Sequence, residues 1–177
     1  ALQPAVGVTE ERMDDEIEKA LRALDAQLAR QPPSRLDAEI LRQASDLEVE
    51  PMIFDFVLRK INGRYEMERE IISGLAPGTR ALYLTWIVET EVNNGGFNQY
   101  YFNTSGEFAS DAVTAFAYFG AKEHAAVMKA ANEVREKEAD AMDQFKDRGT
   151  VDAFVESYEH SELAPIDKRF QELSEDL

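Results

Sequence analysis

Residues 81–88 read Ala81-Leu82-Tyr83-Leu84-Thr85-Trp86-Ile87-Val88, and the choice between strand and helix here decides the fold. Eight apolar-rich residues with aromatics suit either a buried strand or the middle of a buried helix, and periodicity alone does not separate the two. The neighbouring segments do. Every other long segment carries helical spacing, and a lone strand would leave its backbone N–H and C=O groups without partners. The stretch is therefore read as a central buried helix running to about Asn93. The expected fold class is all-α: a single compact, irregular helical domain of about seven to nine helices over residues 9–177, after a loose lead-in at residues 1–8.

Upstream, Met13, Ile17, Ala20, Leu21, Leu24 and Leu28 recur at spacings of three and four behind Thr9 as N-cap, and Pro32-Pro33 ends that helix. Ser34 is read as the cap of a second stretch with Leu36, Ile40, Leu41, Ala44 and Leu47 inward and Asp37 at its third position. Pro51 opens a third segment, Met52 to Ile61, which Asn62-Gly63 stops. A short piece from Glu66 to Ser73 and the Pro77-Gly78 break lead to the central helix. Downstream, Asn93-Asn94-Gly95-Gly96 reads as a helix stop, Phe97 to Asn103 as an aromatic cluster, and Thr104-Ser105-Gly106 as a turn. A helix through Phe108 to Phe119 is closed by Gly120. The longest helix is expected from Lys122 to about Lys146; Thr150 then caps Val151 to Tyr158, and Pro165 sits in the first turn of the last helix.

The 177 residues carry 19 Lys+Arg against 35 Asp+Glu, a formal charge of −16. Nucleic acids and anionic membranes reward clustered Lys and Arg, so neither is expected as a direct ligand. A basic partner is permitted. Zero cysteines exclude disulfides and thiolate metal sites. No apolar run reaches membrane-spanning length, and the first 30 residues lack a basic-then-apolar signal pattern, so the expectation is a cytoplasmic protein.

The charge is uneven. Residues 1–50 hold 12 acids and 6 bases, residues 51–106 hold 6 and 5, and residues 107–177 hold 17 and 8. On one continuous helix from Lys122 to Lys146, Val127, Ala131, Val134, Ala141 and Phe145 share the inward face. Opposite them Glu133, Glu136, Asp140, Asp143 and Asp147 fall within about 80° of one another, a carboxylate stripe roughly 21 Å long. DNA places a charge about every 3.4 Å along a strand, so five carboxylates approach the spacing of one strand's phosphates. The same stripe is also what the solvated face of an amphipathic helix looks like. A second acidic row, Glu11, Asp14, Asp15, Glu18 and Asp25, is interrupted by Arg22 and partly compensated by i, i+4 ion pairs.

Motifs for chemistry are absent. His124 and His160 lack a Glu-x-x-His partner, Asp143, Asp147 and Asp152 lack calcium-loop spacing, and no phosphate loop or nucleophile elbow occurs. No metal, no cofactor and no catalytic residue is assigned, and the expectation is that the chain is not an enzyme. Glu89 and Glu91 beside the Gly95-Gly96 turn form the one candidate acid pair, without a nucleophile to accompany them. Phe97, Tyr100, Tyr101 and Phe102 do not form a stacking platform for single strands, because no Lys or Arg occurs from Ala81 to Ala121. Asn93, Asn94, Gln99 and Asn103 suit backbone hydrogen bonding at tight turns.

The run from Glu91 to Gly106, with Asn94, Gly95, Gly96, Phe97, Gln99, Tyr100, Asn103 and Gly106 at its signature positions and Phe119-Gly120-Ala121 later, resembles the DMP-type DNA-mimic protein family of bacterial helical proteins. The resemblance covers about residues 75–145. It implies an all-α fold, with the signature turn structural, and an acidic surface that occupies the DNA-binding face of a basic protein. Three readings stand at this stage. The first is a DNA mimic that binds a basic DNA-binding protein through the stripe of residues 133–147, assisted by the row of residues 11–25. The second is a small-ligand binder or enzyme at the Asn93–Asn103 turn using Glu89, Glu91, Asn94 and Gln99. The third is an acidic helical protein of structural or assembly role without mimicry. Homodimerisation through an exposed flank of an apolar helix is compatible with all three.

Overall fold

The computed structural model describes residues 35–173. Among them are nine α-helices and no strand: α1 (Ala38–Gln43), α2 (Asp46–Ile61), α3 (Glu68–Ser73), α4 (Pro77–Phe102), α5 (Ala109–Phe119), α6 (Lys122–Lys137), α7 (Ala139–Arg148), α8 (Val151–Glu159) and α9 (Ala164–Gln171). Short 3₁₀ turns precede α3 and α5. The all-α expectation holds, and Ala81 to Val88 lie in α4, where Ala81, Leu84 and Val88 are buried. The first acidic row, the Thr9 and Ser34 caps and the lead-in lie outside the described residues.

Several boundaries differ from the sequence reading for identifiable reasons. Helix α1 is capped by Asp37 itself, whose carboxylate accepts from the Glu39 and Ile40 N–H groups and is held below the usual carboxylate range chiefly by the Ile40 N–H. Helix α2 starts well before Pro51. The Glu48 carboxylate accepts from the Ser45 N–H at 3.0 Å, closing a capping box, so Pro51 forfeits a single early backbone bond inside a helix already nucleated. Pro77 likewise opens α4 at its first turn instead of breaking the chain before it. Asn62 ends α2 in the left-handed conformation with φ +47°.

The largest difference lies in the expected Lys122–Lys146 helix. It is two helices, α6 and α7, joined at Glu138 with φ −94° and ψ 3°. The Glu138 carboxylate accepts from Ser161 Oγ at 2.8 Å and from the Glu162 N–H at 2.7 Å, which ties the junction to the turn between α8 and α9. Met142 is buried and Ala141 exposed, so Met142, and not the expected Ala141, continues the inward face that His124, Val127, Met128 and Ala131 form on α6.

Helix α4 is the hub. Its first half packs on α2, where Phe54 lies 3.9 Å from Trp86 between ring centroids, and its second half carries Phe97, Tyr100 and Tyr101 into the core against Phe116 and Phe170. Phe116 and Phe170 also enclose the ring of His124. The Tyr100 hydroxyl is buried without a hydrogen-bond partner among the described residues, and burial pushes its pKa up. An unpaired buried hydroxyl costs about 1–3 kcal/mol. Tyr100→Phe is therefore expected to leave stability unchanged or raise it by about 1 kcal/mol. Urea denaturation checks this, and a clear loss of stability would mean that the hydroxyl has a partner.

Candidate functional site

Helix α4 is continuous in its overall course but broken in its backbone. Gly95 has φ −152° and Gly96 φ +70°, so the helical hydrogen-bond ladder is interrupted between Asn94 and Phe97. The freed groups are satisfied from two other helices. The Phe97 N–H donates to Asp167 Oδ1 of α9 at 2.7 Å, and the Gly95 carbonyl accepts from Tyr158 Oη of α8 at 2.6 Å. Asp167 thus caps the second half of α4 from 70 residues away in sequence. A Cβ on Gly96 would lie 2.5 Å from Asp167 Oδ2, so position 96 needs glycine both for its positive φ and for the approach of the capping carboxylate.

Polar side chains bind across the break. Glu91 Oε2 accepts from Gln99 Nε2 at 2.6 Å and from Asn103 Nδ2 at 2.9 Å, while Gln99 Oε1 accepts from Asn94 Nδ2 at 3.1 Å. Buried Asn98 donates to Ser157 Oγ at 2.7 Å, and Tyr101 Oη donates to Asn132 Oδ1 at 2.6 Å. Gly106 lies where a Cβ would be 2.9 Å from the Tyr101 Cα, so the turn after α4 folds back closely on that helix. The asparagines and glutamine expected to bond backbone are thus mostly engaged with side chains. Glu89 stands apart from this network. It is half-buried near His124, and burial raises its pKa, with His124 opposing and Glu50 reinforcing. Beside the network, Gln99, Phe102, Asn103, Thr150, Val151 and Phe154 line an open, mostly apolar depression of about 420 Å³.

The carboxylate stripe is differently placed. Glu133 and Glu136 are exposed on α6, and Asp140, Asp143 and Asp147 are exposed on α7, on opposite sides of the Glu138 break. The five are divided between two helices. Arg135, which flanks the stripe on a straight helix, pairs with Asp143 across the break at 2.5 Å. Eight residues of straight helix would separate their Cα atoms by about 12 Å. Glu133, Glu136, Asp140 and Asp147 have no ion-pair partner among the described residues, and neither do the exposed Asp152 and Glu159 of α8. Glu156 is paired with Arg148 at 2.7 Å.

Asp167, Tyr158 and Ser157 were not singled out from the sequence. They complete the break in α4 from distant positions, and only the alternation of buried Phe170 with half-buried Ile166 and Asp167 on α9 marks that helix face. Among the described residues no group of three or more His, Asp or Glu is placed to hold a metal ion, and no helix is long and apolar enough to cross a membrane.

Gly96→Ala is expected to destabilise the fold by more than about 1 kcal/mol, since it adds left-handed strain to a clash with Asp167, and chemical denaturation measures it. Burial raises the pKa of both Glu89 and Asp167, the Phe97 N–H partly opposing at Asp167. The folded chain therefore keeps protons that the unfolded chain has released. The stability this contributes is present below the ordinary carboxylate pKa and is lost as pH rises through the raised folded values. Glu89→Gln and Asp167→Asn should each flatten the decline in stability over that window relative to the parent chain, and an unchanged slope would count against the burial of both groups.

The family model for DMP19-like proteins matches residues 73–177, which begin at the last residue of α3 and include α4 to α9. No curated protein and no solved structure matches.

Proposed function

The chain belongs to the DMP19-like protein family, and from that premise we propose that it is an acidic interaction module, a DNA mimic that binds a basic DNA-binding protein and keeps it from DNA. The observation that carries this reading is the set of exposed, unpaired carboxylates on α6 to α8: Glu133, Glu136, Asp140, Asp147, Asp152 and Glu159. A mimic needs carboxylates whose field is not cancelled by neighbouring cations, because electrostatic complementarity speeds and orients association. Asp143 fits this role less well, since Arg135 already neutralises it. These carboxylates are spread over three consecutive helices, α6, α7 and α8.

In this reading the chain acts by occupancy and not by catalysis. Glu91, the candidate acid at the α4 break, is held by Gln99 and Asn103 and serves as an acceptor in the scaffold. The depression beside Gln99 and Phe102 is the observation in favour of the small-ligand alternative. Its apolar lining suits an apolar compound, and a thermal shift on soaking with such a compound would separate the two readings.

The test is capture from lysate at low salt followed by competition. A DNA-binding protein should be retained, released by duplex DNA, and lost as screening rises. The combined Glu133→Gln, Glu136→Gln and Asp140→Asn substitutions are expected to slow its association by about tenfold, and Asp143→Asn by much less. Binding that persists unchanged in the triple variant, or that duplex DNA does not displace, overturns the proposal.

A further inference from the structure

A strip of apolar side chains crosses the surface of α8, among the carboxylates of the acidic face. Val151, Val155 and Tyr158 stand at positions i, i+4 and i+7, on one side of that helix, and are 77 %, 60 % and 40 % exposed. The strip runs roughly 10 Å along α8. Val151, at its N-terminal end, also lines the depression of about 420 Å³, where Phe102 and Asn103 of α4 meet Phe154 of α8. Edge-to-face aromatic contacts join the depression to the strip: Phe102 to Phe154 at 5.0 Å and Phe154 to Tyr158 at 5.1 Å between ring centres. The Tyr158 hydroxyl is fixed on the Gly95 carbonyl and Thr150 caps the helix, so this surface is held in place before anything docks on it. Apolar side chains gathered around a depression and ringed by charge mark a contact surface.

The charge around the strip selects what can cover it. Residues 147–162 hold five acids against Arg148 as their one Lys or Arg. Arg148 is already paired with Glu156, while Asp147, Asp152 and Glu159 are exposed and have no ion-pair partner among the described residues. A second copy of the chain would set these acids against their own kind, and an anionic bilayer would be repelled by them. The complement is a surface both apolar and basic. We propose that the strip and the depression seat an amphipathic basic helix of the partner protein, with an apolar side chain in the depression and Lys or Arg side chains on Asp147, Asp152 and Glu159. A ridge spaced i, i+4 and i+7 packs into the groove between the side-chain rows of a second helix. The proposal rests on the reading of α6 to α8 as a surface for a basic protein, and it adds what that protein must present. Carboxylates alone attract any basic protein and speed the encounter, whereas a buried apolar anchor slows release and discriminates between partners.

Two synthetic peptides of equal length and charge serve as probes, one with leucine and lysine in amphipathic helical spacing and one with alanine in place of each leucine. Titrated into the full chain at low salt, the leucine peptide should bind at least about tenfold more tightly than the alanine peptide. The combined Val151→Ser and Val155→Ser substitutions should weaken binding of the leucine peptide about tenfold and leave that of the alanine peptide unchanged. Both valines are exposed, so the double variant keeps the parent fold, which circular dichroism checks. Equal affinities of the two peptides for the parent chain, or an unchanged affinity of the leucine peptide for the double variant, overturn the proposal. So does a parent chain that sediments as a dimer beside a double variant that sediments as a monomer, because the strip then seats a second copy. Failure here is distinct from failure of the broader reading. If the surface acts by charge alone, both peptides bind equally and weaken together as salt rises, which overturns the helix seat and leaves the acidic module standing. If neither peptide binds at low salt, both readings fall.

Discussion

The structure depends on how the backbone break at Gly95-Gly96 is satisfied. A helix interrupted in a protein interior exposes an N–H on one side and a carbonyl on the other, and each would cost free energy if left unpaired. Here the Phe97 N–H is capped by Asp167 and the Gly95 carbonyl by Tyr158. The two bonds recruit α9 and α8 to the same point on α4. With those helices fixed, Phe170 meets Phe97 edge-on at 5.5 Å between ring centres, and Ser157 reaches the buried amide of Asn98. The break is therefore what gathers the C-terminal helices around the hub, and the glycines are its geometric condition. The joint lies within the residues that the DMP19-like family model matches.

A second break, at Glu138, governs the surface in the way the first governs the core. Its carboxylate accepts from the Ser161 hydroxyl and the Glu162 N–H, and Arg135 pairs with Asp143 across it. Charge on a helix face is thus apportioned by tertiary contacts. Of the acids near the break, Glu138 becomes a structural acceptor, Asp143 an ion-pair partner, and Glu133, Glu136, Asp140 and Asp147 remain open to a partner. The basic residues are apportioned too. Arg69 donates to the Glu107 carbonyl and approaches Asp111, while Arg59 and Lys60 of α2 and Arg64 of the turn after it line an open groove beside α3. The molecule has an acidic face and a basic-rimmed groove on different helices, a polarity hidden by the single figure of −16.

Most of the helices were legible from local chemistry. Thr150 accepts from the Ala153 N–H as an N-cap should, Gly120 closes α5 with φ +80°, and Pro165 lies in the first turn of α9. The ambiguous stretch from Ala81 to Val88 was resolved by the need to pair every backbone group, and it is helical. What misled was punctuation that tertiary contacts override. Pro51 and Pro77 mark breaks in an isolated chain, yet the first sits inside a capped helix and the second opens one. Conversely, nothing local in Arg135 to Asp140 announces a break, because its cause lies more than 20 residues away in Ser161 and Glu162.

By itself the sequence determined the all-α class, the Thr150 cap, the stops at Asn62 and Gly120, the neutral centre flanked by acidic ends, and the family resemblance. These follow from periodicity, backbone accounting and composition, all of which act over a few residues. Tertiary structure alone decided that the expected stop after Asn94 is a joint inside one helix, and that the carboxylate row is divided between two helices and partly neutralised. It also decided that Arg59 and Lys60 of α2 and Arg64 of the turn after it line one groove. The physical reason is that hydrogen bonds and ion pairs between distant residues set backbone direction and local charge, and the partner that satisfies a broken helix can lie anywhere in the chain.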